Sequence, residues 1–188
     1  GTVVRVLAGD LAKDAGLIPR ESTIPLPFDN PFLRVDPELR DALRMLEESH
    51  GARDAVAVLL ANKVTVAFGS LDDGIVAHFL PGQLAVEVNL RWRGSDPRAL
   101  AAVLAHEATH VADYYRGLKL DSPSACYDSE RRAFSTEATF WRGLFGPDGK
   151  QPPMDDLDRQ LNLVATSAVD SASFAHQLEA LYRKQCGG

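Results

Sequence analysis

The feature that most constrains the fold is a His-Glu-Ala-Thr-His run at residues 106–110, because it lies inside a segment with strong helix signals. Asp96 is a good N-cap, Pro97 suits the first helical position, and Gly117 can close the C-terminal end. Residues that recur at spacings of three and four form an apolar face, namely Leu100, Leu104, Ala108, Val111 and Tyr115. The sequence therefore predicts one helix that carries the whole run.

The two histidines of this run have the spacing of metal ligands. His106 and His110 are four residues apart, and so their rings lie one helical turn apart on the same side of the helix. Two imidazoles so placed can bind one Zn²⁺, and Glu107 beside them can take a proton from a metal-bound water. The H-E-x-x-H pattern thus indicates a hydrolytic zinc site whose third protein ligand comes from elsewhere in the chain.

Length and composition limit the class of protein. The chain has 188 residues, of which 45% are hydrophobic, and this predicts a single domain over residues 1–188 with a substantial core. The formal net charge is -6 and the basic residues form no cluster, which argues against nucleic acid and anionic membranes as partners. The longest apolar run, residues 55–61, is too short to cross a bilayer, so no transmembrane segment is predicted.

The cysteines and the N-terminal residue bear on location. Cys126 and Cys186 form no Cys-x-x-Cys pair; a disulfide between them is predicted if the protein is exported, and free thiols if it stays in a reducing compartment. No signal peptide is visible and the chain begins with Gly1, as expected of a form whose N-terminus has been removed. Because an export signal would be lost in such a form, its absence says little about location; the location stays open, with a slight preference for an extracytoplasmic or secreted one, and the oligomeric state stays open.

The segments at both ends of the chain are predicted to be an arm and a set of helices. A short strand is predicted at residues 2–8, within an extended, proline-rich N-terminal arm over residues 1–37. A helix follows at 37–51, and a shorter helix, with a strand as the alternative, at 52–62. Two amphipathic helices are predicted in the C-terminal part, residues 152–188, near 155–166 and 171–184.

Three strand signals precede the motif helix. Residues 64–68 and 75–80 flank a turn signal at 72–74, and residues 84–90 follow a second turn. This arrangement predicts an antiparallel meander. Its last strand, 84–90, is a candidate edge strand to which an extended peptide can pair. Together with the helices, the strands predict an α+β fold.

The segment after the motif helix supplies the candidate third ligand. Asp128-Ser129 is predicted to cap a helix over residues 130–144, and Glu130 and Glu137 lie on its otherwise apolar face. A buried carboxylate needs a partner or a metal. Glu130 is the predicted third ligand, because its position 20 residues after His110 allows a turn and a return past the first helix, and Glu137 is its rival. If Glu130 binds the metal, Glu137 supports the site or the fold; in the remaining alternative both face solvent or pair with nearby arginines.

Further polar residues are candidates for supporting roles. Asp113 lies one turn after His110 and can accept the second N–H of a ligand imidazole; the alternative is a solvated helix residue. A zinc hydrolase also needs a group that stabilises the oxyanion. The candidates are Tyr127, Tyr114, Tyr115 and His176, and the sequence does not choose among them.

The pairing of the H-E-x-x-H run with Glu130-Arg-Arg-Ala-Phe-Ser-Thr-Glu137 resembles the gluzincins, the zincin metallopeptidases in which a glutamate is the third zinc ligand. The resemblance covers residues 64–144, the expected catalytic core, and leaves out the N-terminal arm and the C-terminal helices. It implies a zincin-like domain in which the two histidines and Glu130 bind zinc and Glu107 is the general base. It also implies that the edge strand of the sheet holds the backbone of a peptide substrate.

Three functional hypotheses follow from these patterns. The leading one is a zinc metallopeptidase with one Zn²⁺ per chain and a peptide or protein as substrate. The alternative is a zincin-like metal-binding module with a regulatory or interaction role and no turnover, and the third is a structural domain with an accidental motif. Glu107 favours the first, because a module that only binds metal has no need of a base.

Overall fold

The structure, a computed structural model, describes residues 5–7, 35–50, 52–167 and 169–187. These residues have the predicted α+β fold. The strands are β1 (Arg5–Leu7), β2 (Thr65–Gly69), β3 (Ile75–Leu80) and β4 (Ala85–Asn89). The α-helices are α1 (Arg40–Glu48), α2 (Arg53–Ala61), α3 (Pro97–Tyr115), α4 (Pro123–Phe145), α5 (Asp156–Thr166) and α6 (Ala172–Cys186). The predicted form of the proline-rich arm falls mostly on residues 8–34, outside the described residues.

The sheet differs from the predicted meander. Its strand order is β1-β3-β4-β2, and β4 pairs antiparallel with β3 and parallel with β2. The prediction that residues 84–90 form the edge of an antiparallel sheet is therefore wrong, because β4 has a neighbour on each side. The turn signal at 72–74 is real, with Gly74 at φ 89°, but it connects β2 and β3, which are separated by β4.

Burial on both faces explains why β4 takes an inner position. Only Glu87 of this strand is partly exposed, although Asn89 lies on the face that looks polar in the sequence. Asn89 is buried because its amide nitrogen donates to three carbonyls in the β2–β3 connection, those of Leu71, Asp72 and Ile75, at 3.3, 3.3 and 2.9 Å. A polar side chain thus joins β4 to the segment that crosses over it.

Helix α3 has the boundaries that its sequence predicts. The Asp96 side chain accepts a hydrogen bond from the Arg98 amide at 2.9 Å, Pro97 is the first helical residue, and Gly117, at φ 73°, follows the last turn. The helix packs against α1, α2, α4 and the sheet, so it is buried almost all round and not along one face. Tyr115, which was predicted on the apolar face, is exposed.

Helix α4 begins earlier than predicted. Ser122 accepts a hydrogen bond from the Ala125 amide at 3.2 Å and Pro123 occupies the first position, so Asp128-Ser129 lies inside the helix and does not cap it. A Ser-Pro pair is a strong start signal, because the amide that Pro lacks would be unbonded in the first turn. The longer helix carries Ser129 into the interface with α3, where it is fully buried.

The other predicted helices are confirmed, and residues 53–61 are helical, which excludes the strand alternative there. Cys126 in α4 is bonded to Cys186 at the end of α6, so the disulfide joins these two helices. Among the described helices, none has both the length and the apolar character that a membrane span requires.

Asp96 also connects the start of α3 to α5. It accepts a hydrogen bond from Lys150 at 3.0 Å, and Lys150 contacts Asp158 of α5 at 2.6 Å. Burial alone would raise the pKa of Asp96, but the hydrogen bonds from Arg98 and Lys150 outweigh this effect and hold the pKa well below its usual range. The ionised form of Asp96 therefore stabilises the folded state.

We expect Asp96→Ala to lower the free energy of unfolding at neutral pH by about 1–2 kcal/mol, the usual contribution of an N-cap. Since the folded pKa of Asp96 is depressed, its contribution is present above the unfolded pKa of about 4 and is lost as the pH falls through the folded pKa. Urea unfolding of both proteins across this range measures the difference. A difference that does not shrink in acid, or an equal loss for the exposed Asp73→Ala, would contradict the assignment.

Candidate metal centre

Two histidines of α3 and one glutamate of α4 meet where these helices pack together. The Nε2 atoms of His106 and His110 are 3.2 Å apart, and the Glu130 carboxylate lies 3.5 Å from the first and 3.6 Å from the second. All three residues are buried, and their ligand atoms lie within 4.8 Å of one another. This group can hold a metal ion.

The charges of the group suit a cation. Burial, the largest influence, and the neighbouring His110 lower the pKa of His106 to about 4, so its ring is neutral at pH 7 and offers a lone pair. Burial would raise the pKa of Glu130, but the two imidazoles outweigh it and bring the pKa to about 2. An ionised carboxylate and a neutral imidazole are the forms in which these side chains bind metals.

Glu107 lies beside this group without joining it. Its side chain is fully buried, and neither carboxylate oxygen has a hydrogen-bond partner among the described residues. Burial, and then the negative charges of Glu130 and Glu137, raise its pKa well above the usual value, and the nearby amide of Phe79 only partly offsets this. Burial makes such a carboxylate a stronger base, and a cation next to it would favour the ionised form in which it can accept a proton.

A chain of hydrogen bonds orients the second histidine. Ser129 donates its only hydroxyl proton to Asp113 at 2.8 Å, so its oxygen is left to accept Nδ1–H of His110 at 3.0 Å. Arg132 also donates to Asp113, at 2.8 Å. Asp113 was predicted to accept the imidazole N–H directly; the structure places Ser129 between them. The arrangement fixes the proton on Nδ1 and leaves Nε2 of His110 free to bind a metal.

Glu137 lies behind the first histidine. One of its oxygens is 3.9 Å from Nδ1 of His106, whereas Glu130 approaches Nε2 of the same ring, so the two carboxylates lie on opposite sides of it. Glu137 is fully buried, and burial and the charge of Glu130 raise its pKa well above the usual value. The side chain that the sequence offered as the rival third ligand is thus outside the three-residue group. Phe134 packs edge-on against the His106 ring, with ring centroids 4.6 Å apart.

The other candidates from the sequence lie elsewhere. The Tyr127 hydroxyl donates to the backbone carbonyl of Glu179 at 3.4 Å, and the exposed His176 ring pairs with the Glu179 side chain at 3.8 Å. Neither joins the three-residue group in the part of the chain that the structure describes. Tyr114 and Tyr115 are exposed in the last turn of α3, and of these Tyr114 packs against Phe79.

Two residues at the site were missed by sequence reasoning. Ser129 was interpreted as a helix cap, because its position beside Glu130 carries no recognised signal. Gln185 of α6 donates a hydrogen bond to Glu130 at 3.3 Å, and it stands next to the disulfide-bonded Cys186. No pattern within α6 links it to a residue so distant in the sequence.

Comparison with known proteins gives no match, whether to a family model, to a curated protein or to a solved structure.

We expect Ser129→Ala to weaken metal binding by about 10- to 100-fold, the usual effect of losing a group that orients a ligand. The substitution removes the acceptor of the His110 Nδ1 proton and adds no bulk. A competition titration with Zn²⁺ and a chromophoric chelator measures the affinity, and circular dichroism checks the fold. Ser135→Ala, at a half-buried site on the same helix, is the control; equal affinities in the two variants would contradict the role of Ser129.

Proposed function

We propose that this protein is a zinc-dependent metallopeptidase of the gluzincin type. The observation that carries the proposal is the meeting of His106, His110 and Glu130 in one buried group, with the fully buried carboxylate of Glu107 beside it. Three protein ligands leave a fourth position for water, which is the composition of a catalytic zinc site and not of a closed structural one.

The spacing of the ligand atoms supports zinc as the metal, with one ion per chain. Two atoms that are each about 2.0–2.1 Å from a tetrahedral ion lie about 3.3 Å apart. The two imidazole Nε2 atoms are 3.2 Å apart, close to this value, and the two oxygens of Glu130 lie 3.5 Å (Oε2 to His106) and 3.6 Å (Oε1 to His110) from them. Two imidazoles and a carboxylate also suit zinc better than they suit calcium or magnesium, which prefer oxygen ligands alone.

Glu107 performs the proton transfers in the proposed reaction. A metal held by His106, His110 and Glu130 would lower the pKa of a water molecule and polarise a peptide carbonyl. Glu107 would accept the proton of the attacking water and then give it to the amine that leaves. The burial that raises the pKa of Glu107 makes its carboxylate a better proton acceptor than an exposed one.

The disulfide supports an extracytoplasmic location within the same proposal. Cys126 and Cys186 are bonded to each other, and bonds of this kind persist in oxidising compartments and are rare in reducing ones. A peptide or protein is the proposed substrate.

A specific observation favours a second candidate, a metal-binding module without turnover. His106 and Glu130 are 0% exposed and His110 is 4% exposed, so the group is closed to an extent that a structural site would also have. In that case the metal would stabilise the α3–α4 pair and the chain would act through its surface. A buried base such as Glu107 has no task in such a module, and this favours the peptidase.

A comparison of two glutamine variants tests the proposal. Glu107→Gln is expected to keep close to one zinc per chain and an intact fold, and to lower peptidase activity by about two to four orders of magnitude, because the base is lost. Glu130→Gln is expected to lose zinc, because a neutral amide is a poorer ligand than a carboxylate. Zinc content by elemental analysis and cleavage of an unstructured peptide library are measured for each.

The controls separate the two candidate functions. A chelator should abolish cleavage by the parent, and Glu48→Gln, at an exposed site on α1, should change neither zinc content nor rate. If Glu107→Gln cleaves as fast as the parent, cleavage does not depend on this base and its assignment is wrong. If the zinc-loaded parent cleaves nothing in the library, the module without turnover replaces the peptidase. If Glu107→Gln loses the metal while Glu130→Gln keeps it, the two roles are reversed.

A further inference from the structure

A cavity of about 410 Å³ lies against the three-residue group at the C-terminal end of α3. Its walls come from the end of β3, from the last turn of α3 and from the loop that follows. The apolar walls are formed by Phe79, Pro81, Tyr114, Leu118 and Leu120. The volume is within the usual range of small-ligand sites, which is about 300–1,000 Å³.

The cavity touches the candidate metal group through one residue. His110 forms part of its wall, and His110 is also the member of the group with measurable exposure, at 4% against 0% for His106 and Glu130. A molecule in this cavity therefore lies next to the side of the group that is open. Two other cavities, one at the start of α3 and one between α5 and α6, include no member of the group.

The chemistry of the walls selects the kind of side chain that fits. Asp113, three residues after His110, is an acidic residue of the wall. Its charge is already offset by Arg132, whose guanidinium lies 2.8 Å from the carboxylate. The charged wall residues Lys119 and Asp121 are exposed and of opposite sign. A charged side chain of a ligand would thus find no uncompensated charge in the cavity, whereas an apolar side chain would remove the apolar walls from contact with water.

The exposure of two apolar wall residues also indicates an apolar ligand. Tyr114 and Leu118 are both 45% exposed, although each faces the cavity, and Tyr114 packs edge-on against Phe79 with ring centroids 5.7 Å apart. Large apolar side chains left beside a buried polar site are typical of a binding surface. An aromatic or long aliphatic side chain would remove them from water.

We propose that this cavity is a substrate subsite that receives one large apolar side chain, phenylalanine or leucine in kind, of a peptide whose scissile bond lies at the His106–His110–Glu130 group. The inference rests on the proposed function and names its substrate class. Peptides with such a residue next to the cleaved bond are bound more tightly than those with glycine, alanine or lysine in that place.

Amino-acid hydroxamates test the subsite without turnover, because the hydroxamate binds a metal and the side chain is left to enter the cavity. Calorimetry on the zinc-loaded full chain compares phenylalanine, lysine and glycine hydroxamates. We expect the phenylalanine compound to bind about 10- to 100-fold more tightly than the glycine compound, as burial of one large apolar side chain predicts, and the lysine compound to show no such gain.

Leu118→Asp locates the preference within the molecule. It should bring the affinity of phenylalanine hydroxamate close to that of glycine hydroxamate, with zinc content and glycine hydroxamate binding unchanged. Leu144→Asp is the matched control, because Leu144 is 43% exposed at the end of α4 and outside the cavity. Tyr114→Ser serves as a second variant of the wall if Leu118→Asp does not fold.

The outcomes separate this inference from the proposed function. Equal affinities of the parent for the three hydroxamates would overturn the subsite and leave the peptidase proposal standing. A preference that survives both wall variants would place the subsite elsewhere and overturn this assignment. A zinc-loaded chain that binds none of the hydroxamates has a closed structural site, and that result would overturn both proposals.

Discussion

The interface between α3 and α4 buries ionisable side chains, and the structure depends on how their charges are compensated. Glu107, Glu130 and Glu137 are all fully buried around the two histidines. Burial of carboxylates is costly unless cations or hydrogen bonds compensate them, and here two of the three have raised pKa values. A divalent cation in the centre would offset this cost. The same buried carboxylates therefore affect both the stability of the α3–α4 pair and the proposed chemistry.

Local signals in the sequence were sufficient for the helix that carries the site. Asp96, Pro97 and Gly117 act within a turn of the residues that they cap, so their effect can be predicted without knowledge of the fold. The start of α4 also has a local signal, the Ser122-Pro123 pair, whereas Asp128, which was predicted as the cap, lies inside the helix. The pairing of β4 could not be predicted in this way, because strand neighbours are chosen by contacts distant in the sequence and by the buried bonds of Asn89.

The same division holds at the site. The grouping of Glu130 with the two histidines follows from residue type and spacing along two helices, and the structure brings the three together. The interposed Ser129 depends on how α4 is rotated against α3, which no single-helix pattern specifies. Tyr127 and His176 were candidates only by residue type, and the structure places their side chains against Glu179. Residue type and spacing thus indicate which side chains can bind a metal, whereas the rotation of α4 against α3 decides which residues hydrogen-bond to those ligands.

The bond between Cys126 and Cys186 changes how the last helix can open. Terminal turns of helices normally fray, with opening free energies close to zero. Here the final turn of α6 is covalently joined to α4, and Gln185 in that turn contacts Glu130. Amide protons in this turn should exchange with solvent at rates closer to those of α4 than to those of a free helix end. The local dynamics at one wall of the site are therefore governed by a crosslink that lies outside it.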